Sequence, residues 1–394
     1  MLDGSSVSPN VTNQSSPITI WPISLANPND SDFESCINND TEVINSFRFI
    51  TNGLLINLVG LLGVLGNIIS MIILSRPQMR SSINYLLIGL ARIDTVLIVT
   101  SMLLFGLPGI YPYSSYMFNY YYVVYPHITP VVFPLATVAQ TASVYLTLVV
   151  SLERFVAVCH PLRAKSLCTY GRARIYVIAI IAFSAAYNLP RLWEAAIQKE
   201  WSSVHNETVY CPQSTPFRDD PAYRAIYIHW LYLICMYLLP FGMLAVLNAS
   251  IYRQVLRANK ERQRLSRHQK REIGLATMLL GVVVVFFICN ILPLVINIIE
   301  TFELRIRFDL IYLIHTSNLL VTINSSVNFL IYVIFGEKFK SRNGGSIGFR
   351  TAEGSFRNLP NRTSTRPYKS CVATPCVYYS THRPAKETQT VPAV

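Results

Sequence analysis

The sequence predicts an all-α membrane protein: a seven-transmembrane helix bundle with its N-terminus outside and its C-terminus inside. Three observations carry this. Of 394 residues, 52% are apolar and only 14% charged, against about a quarter charged in ordinary soluble domains. The charges are gathered into short stretches, leaving long runs without Asp, Glu, Lys or Arg. Lys and Arg also fall mostly on one side of those runs. The apolar content excludes a disordered chain. Length and only eight dispersed cysteines exclude a small disulfide scaffold.

A helix needs roughly 20 apolar residues to cross hydrocarbon about 30 Å thick. Residues 49–75 supply the first span, and residues 83–107, carrying Arg92 and Asp94, the second. The charge-free run 95–152 is too long for one helix. Pro108-Gly109, Pro112 and a tyrosine-rich segment up to Pro126 break it and read as an interfacial loop before the third span. The fourth, 175–190, is short but extends past Arg191 to Trp193; residues 225–252, 273–299 and 310–336 complete the set.

With the N-terminus outside, the three inner connections hold 15 basic and 3 acidic residues, while the outer segments hold 7 basic and 14 acidic. Basic residues stay on the cytoplasmic side, so much of the net charge of +12 faces anionic lipid and protein partners rather than nucleic acid. The chain divides into an extracellular glycosylated segment (1–48), the bundle (49–336) and a cytoplasmic regulatory tail (337–394). Residues 1–40 lack a basic n-region and an apolar h-region, so the first span is expected to act as its own insertion signal. N-glycosylation sequons at Asn10, Asn13, Asn29, Asn39 and Asn206 fall outside. The tail is Ser/Thr-rich and basic, which predicts disorder; Ser355, Thr363, Ser364, Thr365 and Ser370 are candidate kinase sites.

Ionisable groups inside spans default to functional hypotheses. Asp94 lies mid-span, with Asn67, Ser143, Asn324, Ser325 and Asn328 at comparable depth in other spans. A carboxylate among amides and hydroxyls is hydrogen-bonded, protonated or paired with a small cation. The plainer alternative is interhelical glue. Arg92 lies about 200° round the helix from Asp94, the wrong side for pairing, and either snorkels inward or meets the third or fourth helix. No His-Glu-x-x-His motif occurs and the seven histidines are scattered, so neither an enzyme nor a metal site is expected.

Glu153-Arg154-Phe155-Val156-Ala157-Val158-Cys159-His160-Pro161-Leu162 resembles the Asp/Glu-Arg-Tyr motif and following Pro-Leu loop of rhodopsin-like G-protein-coupled receptors. Gly66-Asn67, Leu90-Ala91-Arg92-Ile93-Asp94, the span prolines Pro190, Pro240 and Pro293, and Asn328-Phe329-Leu330-Ile331-Tyr332 resemble that family's other span motifs, in order. Leu167-Cys168-Thr169-Tyr170-Gly171-Arg172 and Tyr187-Asn188-Leu189-Pro190-Arg191 look most like insect receptors for FMRFamide-type neuropeptides.

The resemblance implies roles. Glu153 would hold Arg154 at rest; on activation Arg154 would meet the G protein and Tyr332, Leu162 would insert into the G protein, and Pro293 would kink the sixth span into a lever. Asp94, Ser143, Asn324, Ser325 and Asn328, with Asn67, would form the inner polar network that holds sodium in many relatives; no other cofactor is implied. Departures accompany it. Counting from Pro293, the family's tryptophan is Ile291 and its cysteine Asn290; Phe329 replaces the seventh-span proline, Asn248 a fifth-span tyrosine and Ile181 a fourth-span tryptophan. The third-span cysteine that relatives bridge to the second outer loop is Thr129. Only Cys36 and Cys211 lie outside, which predicts a Cys36–Cys211 bridge; two free thiols or a disulfide-linked dimer are the alternatives.

An amine ligand is disfavoured, because the family's amine-binding aspartate is Ala136 here, and opsins need a seventh-span lysine that 310–336 lacks. The acidic, tyrosine-rich outer rim suits a cationic amidated peptide of the Arg-Phe-amide type. Glu300 and Glu194 are the candidate arginine partners, and Trp193, Tyr223, Phe302 and Gln140 the candidate wall or floor residues. Solvated loop carboxylates are the competing reading. The implied partners are the peptide, a heterotrimeric G protein of the Gq class acting through calcium, arrestin, receptor kinases and membrane lipid, at the plasma membrane. A receptor for another peptide or a lipid is the alternative, and a transporter or channel a more distant one.

Overall fold

The computed structural model describes residues 41–202, 205–260, 267–304 and 310–335. Seven long helices run through them: α1 (Glu42–Leu74), α2 (Ser82–Ser114), α3 (Tyr120–Cys159), α4 (Tyr170–Tyr187), α5 (Pro221–Ala258), α6 (Glu272–Thr301) and α7 (Leu310–Tyr332). Six are long and apolar enough to cross a membrane alone. The fourth, α4, has 18 residues and meets that measure only together with the preceding short helix Pro161–Leu167, bent from it by 70°. A 3-10 turn, Leu189–Trp193, prolongs it.

Helix starts follow local chemistry. Thr41 caps α1 by accepting the Ile44 N–H, with Glu42 in the first turn, so the helix begins well before the apolar run that signals the span. Ser81 caps α2 in the same way through Asn84. The tyrosine-rich segment departs from expectation: α3 begins at Tyr120, and Pro126, Pro130 and Pro134 all sit within it. Pro126 falls where five π-helical residues, Tyr120–Val124, pass into α-helix.

Further π-helical stretches are Phe49–Ile56, Met102–Gly106, Arg224–Leu231 and Leu233–Leu238. All five lie toward the end of the bundle that carries the hairpin. That hairpin, β1 (Ala195–Ser202) and β2 (Glu207–Ser214), is antiparallel, pairs Gln198 with Cys211, and joins α4 to α5. Asn206 is exposed in its turn at a φ of 51°, a left-handed conformation that asparagine tolerates.

The bundle is apolar outside and partly polar within. On α1, Leu58, Leu61, Leu62 and Leu65 are more than half exposed, whereas Gly60, Gly63, Gly66, Asn67 and Ser70 face inward. In hydrocarbon, apolar burial drives nothing, so close backbone approach and hydrogen bonds hold helices together. Gly66 shows the requirement: an added Cβ would lie 3.0 Å from the Phe329 side chain, the residue standing where proline was expected. At Gly63 a Cβ would collide with Ser326 and lie 2.9 Å from Ile98, whereas Gly242 on α5 has open space around it. Gly63→Val is therefore expected to cost about 1–3 kcal/mol and lower the melting temperature of detergent-purified protein. Gly242→Ala, free of that crowding, is expected to raise it slightly; equal shifts would contradict this packing.

Candidate ligand and switch sites

Below the hairpin lies a cavity of about 80 Å³, walled by α2, α3, α5, α6 and α7. Gln140 and Glu300 both line it, as does Pro293. Glu300 Oε1 is buried without a hydrogen-bond partner among the described residues, and Arg218, also on the wall, is close enough to stabilise its charge. Asn297, one turn earlier on α6, presents a second unpartnered buried oxygen. Ser317 and Asn318 of α7 supply polar groups opposite.

Glu194 is not at the rim as expected: it is 0% exposed and fully engaged. Its carboxylate accepts from Arg191 Nη1 at 3.3 Å, from the Tyr223 hydroxyl at 2.7 Å and from Arg218 Nη1. With three donors converging on it, it has no capacity for a ligand's arginine. Arg191 also lies within 5.4–5.7 Å of the Phe133, Tyr227 and Tyr232 ring centres. Burial pushes the Arg218 guanidinium below its ordinary range, and Glu194 counters only part of that. These charges flank the hairpin, Arg191 and Glu194 before β1 and Arg218 after β2. The hairpin base closes where Thr215 N–H donates to Glu194 O at 3.1 Å and its hydroxyl to Trp193 O at 2.6 Å. Tyr223 is thus a structural partner of Glu194 and not a cavity wall.

Two further wall candidates face away. Trp193 is 58% exposed and borders a shallow apolar groove with Leu189, Pro190 and Phe217. Phe302 is 53% exposed, edge-on to Trp230. The hairpin tip is held by rings, His205 against Phe118 at 4.9 Å and Tyr210 against His127 at 4.6 Å. Thr129 is buried and bonded to its own helix at Tyr125 O. Cys211 is disulfide-bonded; Cys36, its expected partner, lies outside the described residues, as do Asn10, Asn13, Asn29 and Asn39.

Deeper in the bundle, Asp94 is fully buried. Its two oxygens accept from the Ser143 hydroxyl at 2.6 Å and from Asn328 Nδ2 at 2.7 Å. Asn67 Nδ2 donates to Ser325 O at 3.2 Å; Asn67 Oδ1 is a buried oxygen without a partner, and the Ser325 hydroxyl, outside bonding geometry, still lies close enough to Asp94 to stabilise its charge. Asn324 is half-buried and is not among Asp94's partners. Arg92 is exposed on α2, and no hydrogen bond or ion pair joins it to a described residue. On α6, Ile291, at the tryptophan's place counted from Pro293, is 57% exposed, while Asn290 is buried and bonds back to Phe286 O. One residue turns a helix by about 100°, enough to exchange an inward for an outward position.

At the far end, Arg154 is buried and forked. Nη2 lies 3.5 Å from Glu153 Oε1, and Nη1 donates to Glu272 Oε2 at 2.8 Å. Glu272, at the start of α6, went unrecognised in the sequence; its signal is an acidic residue directly after Lys270-Arg271 in an otherwise basic stretch. Leu162, in the short helix nearby, is 87% exposed, and Tyr332 is buried near Asp94, away from the Arg154 pair.

Residues 66–332 match the pattern described as "7 transmembrane receptor (rhodopsin family)". A protein named "FMRFamide receptor" in Drosophila melanogaster is 62% identical over 296 residues, 75% of this chain but 53% of that protein. "FMRFamide peptide receptor frpr-18" of Caenorhabditis elegans is 33% identical over 71% of this chain and 65% of its own length. A third, "Probable G-protein coupled receptor frpr-1" of the same organism, is 33% identical over 75% of this chain and 78% of its own. The chain thus spans about half the length of the first relative and under two thirds of the second. With seven helices, an Arg154 cluster and an Asp94 network in one bundle, the chain belongs to the rhodopsin family of seven-transmembrane receptors, multi-pass proteins of the plasma membrane.

Proposed function

We propose that the chain is a receptor for an amidated neuropeptide of the FMRFamide type, which it reports to a heterotrimeric G protein of the Gq class. The observation that carries this is the unpartnered carboxyl oxygen of Glu300 in a cavity also lined by Gln140 and Asn318. A buried acceptor without a donor is costly, and a ligand bringing a guanidinium relieves that cost. The relatives named for FMRFamide support the ligand class. The hairpin end, with the Asn206 sequon, faces outside in this reading; the Arg154 end, where Arg253 and Arg257 are exposed, faces the cytoplasm and meets the G protein, arrestin, receptor kinases and anionic lipid. The Asp94 site suits a sodium ion: Asp94, Asn67 Oδ1 and Ser325 Oγ are the hard oxygen donors such a cation takes.

The cavity of about 80 Å³ is well below the roughly 300 Å³ at which ligand sites begin, so the peptide enters by parting the outer helices. Cells expressing the chain with a calcium reporter are expected to respond to Arg-Phe-amide peptides and to remain silent to amines and lipids. Glu300→Gln keeps the shape and removes the charge; potency of the arginine peptide is expected to fall about tenfold at unchanged surface level. A surface-expressed receptor answering another ligand class, with Glu300→Gln without effect, would overturn the ligand assignment.

A further inference from the structure

Three asparagines sit inside α5 and α6 with buried side chains, and they are not equivalent. Asn248 donates Nδ2 to Leu244 O at 2.8 Å, and Asn290 donates to Phe286 O at 2.8 Å. Each spends its amide on the carbonyl four residues back, as polar side chains in membrane helices commonly do. Asn297 is 2% exposed yet makes no such bond among the described residues, and its Oδ1 is left without a partner. Glu300, three residues on, leaves Oε1 in the same condition, and both residues line the cavity. Side chains three apart on a helix share a face with Cβ atoms about 5–6 Å apart. The cavity therefore contains two neighbouring buried acceptors, a carboxyl oxygen and an amide oxygen. Arg218, whose charge acts on Glu300, is held by Glu194.

We propose that Asn297 Oδ1 and Glu300 Oε1 together form a two-acceptor site for one guanidinium, so that Asn297 determines the preference for arginine over lysine. The inference rests on reading the cavity as the peptide site. A guanidinium offers five donors spread over three nitrogens in a plane, so two nitrogens can serve two acceptors a helical turn apart. A lysine ammonium concentrates its donors on one nitrogen. It can satisfy Glu300 only by leaving Asn297 Oδ1 unpaired and buried, at the full cost of that orphan.

The test pairs receptor variants with ligand variants in cells expressing the full chain, using Phe-Met-Arg-Phe-amide and its lysine analogue, with surface level measured alongside. In the wild type the lysine peptide is expected to be at least about tenfold weaker. In Asn297→Leu, close in size and without the acceptor, the arginine peptide is expected to fall to the lysine peptide's potency while the lysine peptide shifts less than about twofold. Asn297→Asp, which keeps an acceptor, is expected to preserve the preference. If Asn297→Leu fails to reach the surface, Asn297→Ala carries the same comparison. Equal weakening of both peptides by Asn297→Leu, or an unchanged ratio between them, overturns the two-acceptor site while the peptide reading stands. A wild-type receptor at the surface that ignores both peptides overturns the peptide reading, and this site with it.

Discussion

Replacing Glu194 by alanine is expected to empty the cell surface of this receptor. The carboxylate is fully buried and bonded to Arg191, Arg218 and Tyr223. Truncating it leaves two buried guanidiniums adjacent to each other with no counter-charge, a loss of about 3–5 kcal/mol for breaking a buried pair by removing one partner. That is a large part of the stability of a folded domain. The strain falls at the base of the hairpin, because Arg191 and Arg218 flank its two strands. Glu194→Gln, which still accepts hydrogen bonds but carries no charge, is expected to retain a minor fraction at the surface. Glu194→Leu combined with Arg218→Met, which removes a charge pair instead of splitting one, is expected to recover more than either single change. Flow cytometry of a tagged receptor measures each of them; wild-type surface levels of Glu194→Ala would show that the carboxylate does not hold the hairpin.

Releasing Arg154 from Glu272 is expected to make the receptor signal without ligand. The bond of 2.8 Å links α3 to the start of α6 and is the shorter of Arg154's two ion pairs. Charge-assisted hydrogen bonds contribute about 1.5–3 kcal/mol, which shifts a two-state population about ten- to a hundredfold. Glu272→Gln is expected to raise basal calcium signalling at least about tenfold at matched surface level and to increase peptide potency, since less of the ligand's differential affinity is needed to reach the active state. Basal activity equal to wild type would mean that Glu153, 3.5 Å from Arg154, suffices to hold it.

What the sequence revealed and what it hid follow from where charge and periodicity are informative. The spans were legible because hydrocarbon excludes charge, and the Asp94 network because buried polar residues are rare there: Ser143, Asn328, Asn67 and Ser325 converge as their depths suggested. Gln140 and Glu300, both on regular helix, line the cavity. Glu194, Trp193 and Tyr223 do not. They sit in or beside a 3-10 turn, a hairpin and a π-helical start, where no single period says which way a side chain points. The hairpin was invisible because β1 alternates weakly, with Ile197 and Trp201 exposed and Gln198 half-covered. Glu272 escaped because its partner is 118 residues away.

The π-helical stretches in α1, α2, α3 and α5 give the hairpin end a reserve of chain that, among the described residues, the opposite end does not share. A π turn holds about one residue more than an α turn over the same hydrogen-bonded loop. Tightening one into α-helix re-indexes every side chain beyond it by about 100° and advances the chain by about 1.5 Å. A change confined to these stretches would re-aim the side chains at the hairpin end relative to the Asp94 layer beneath.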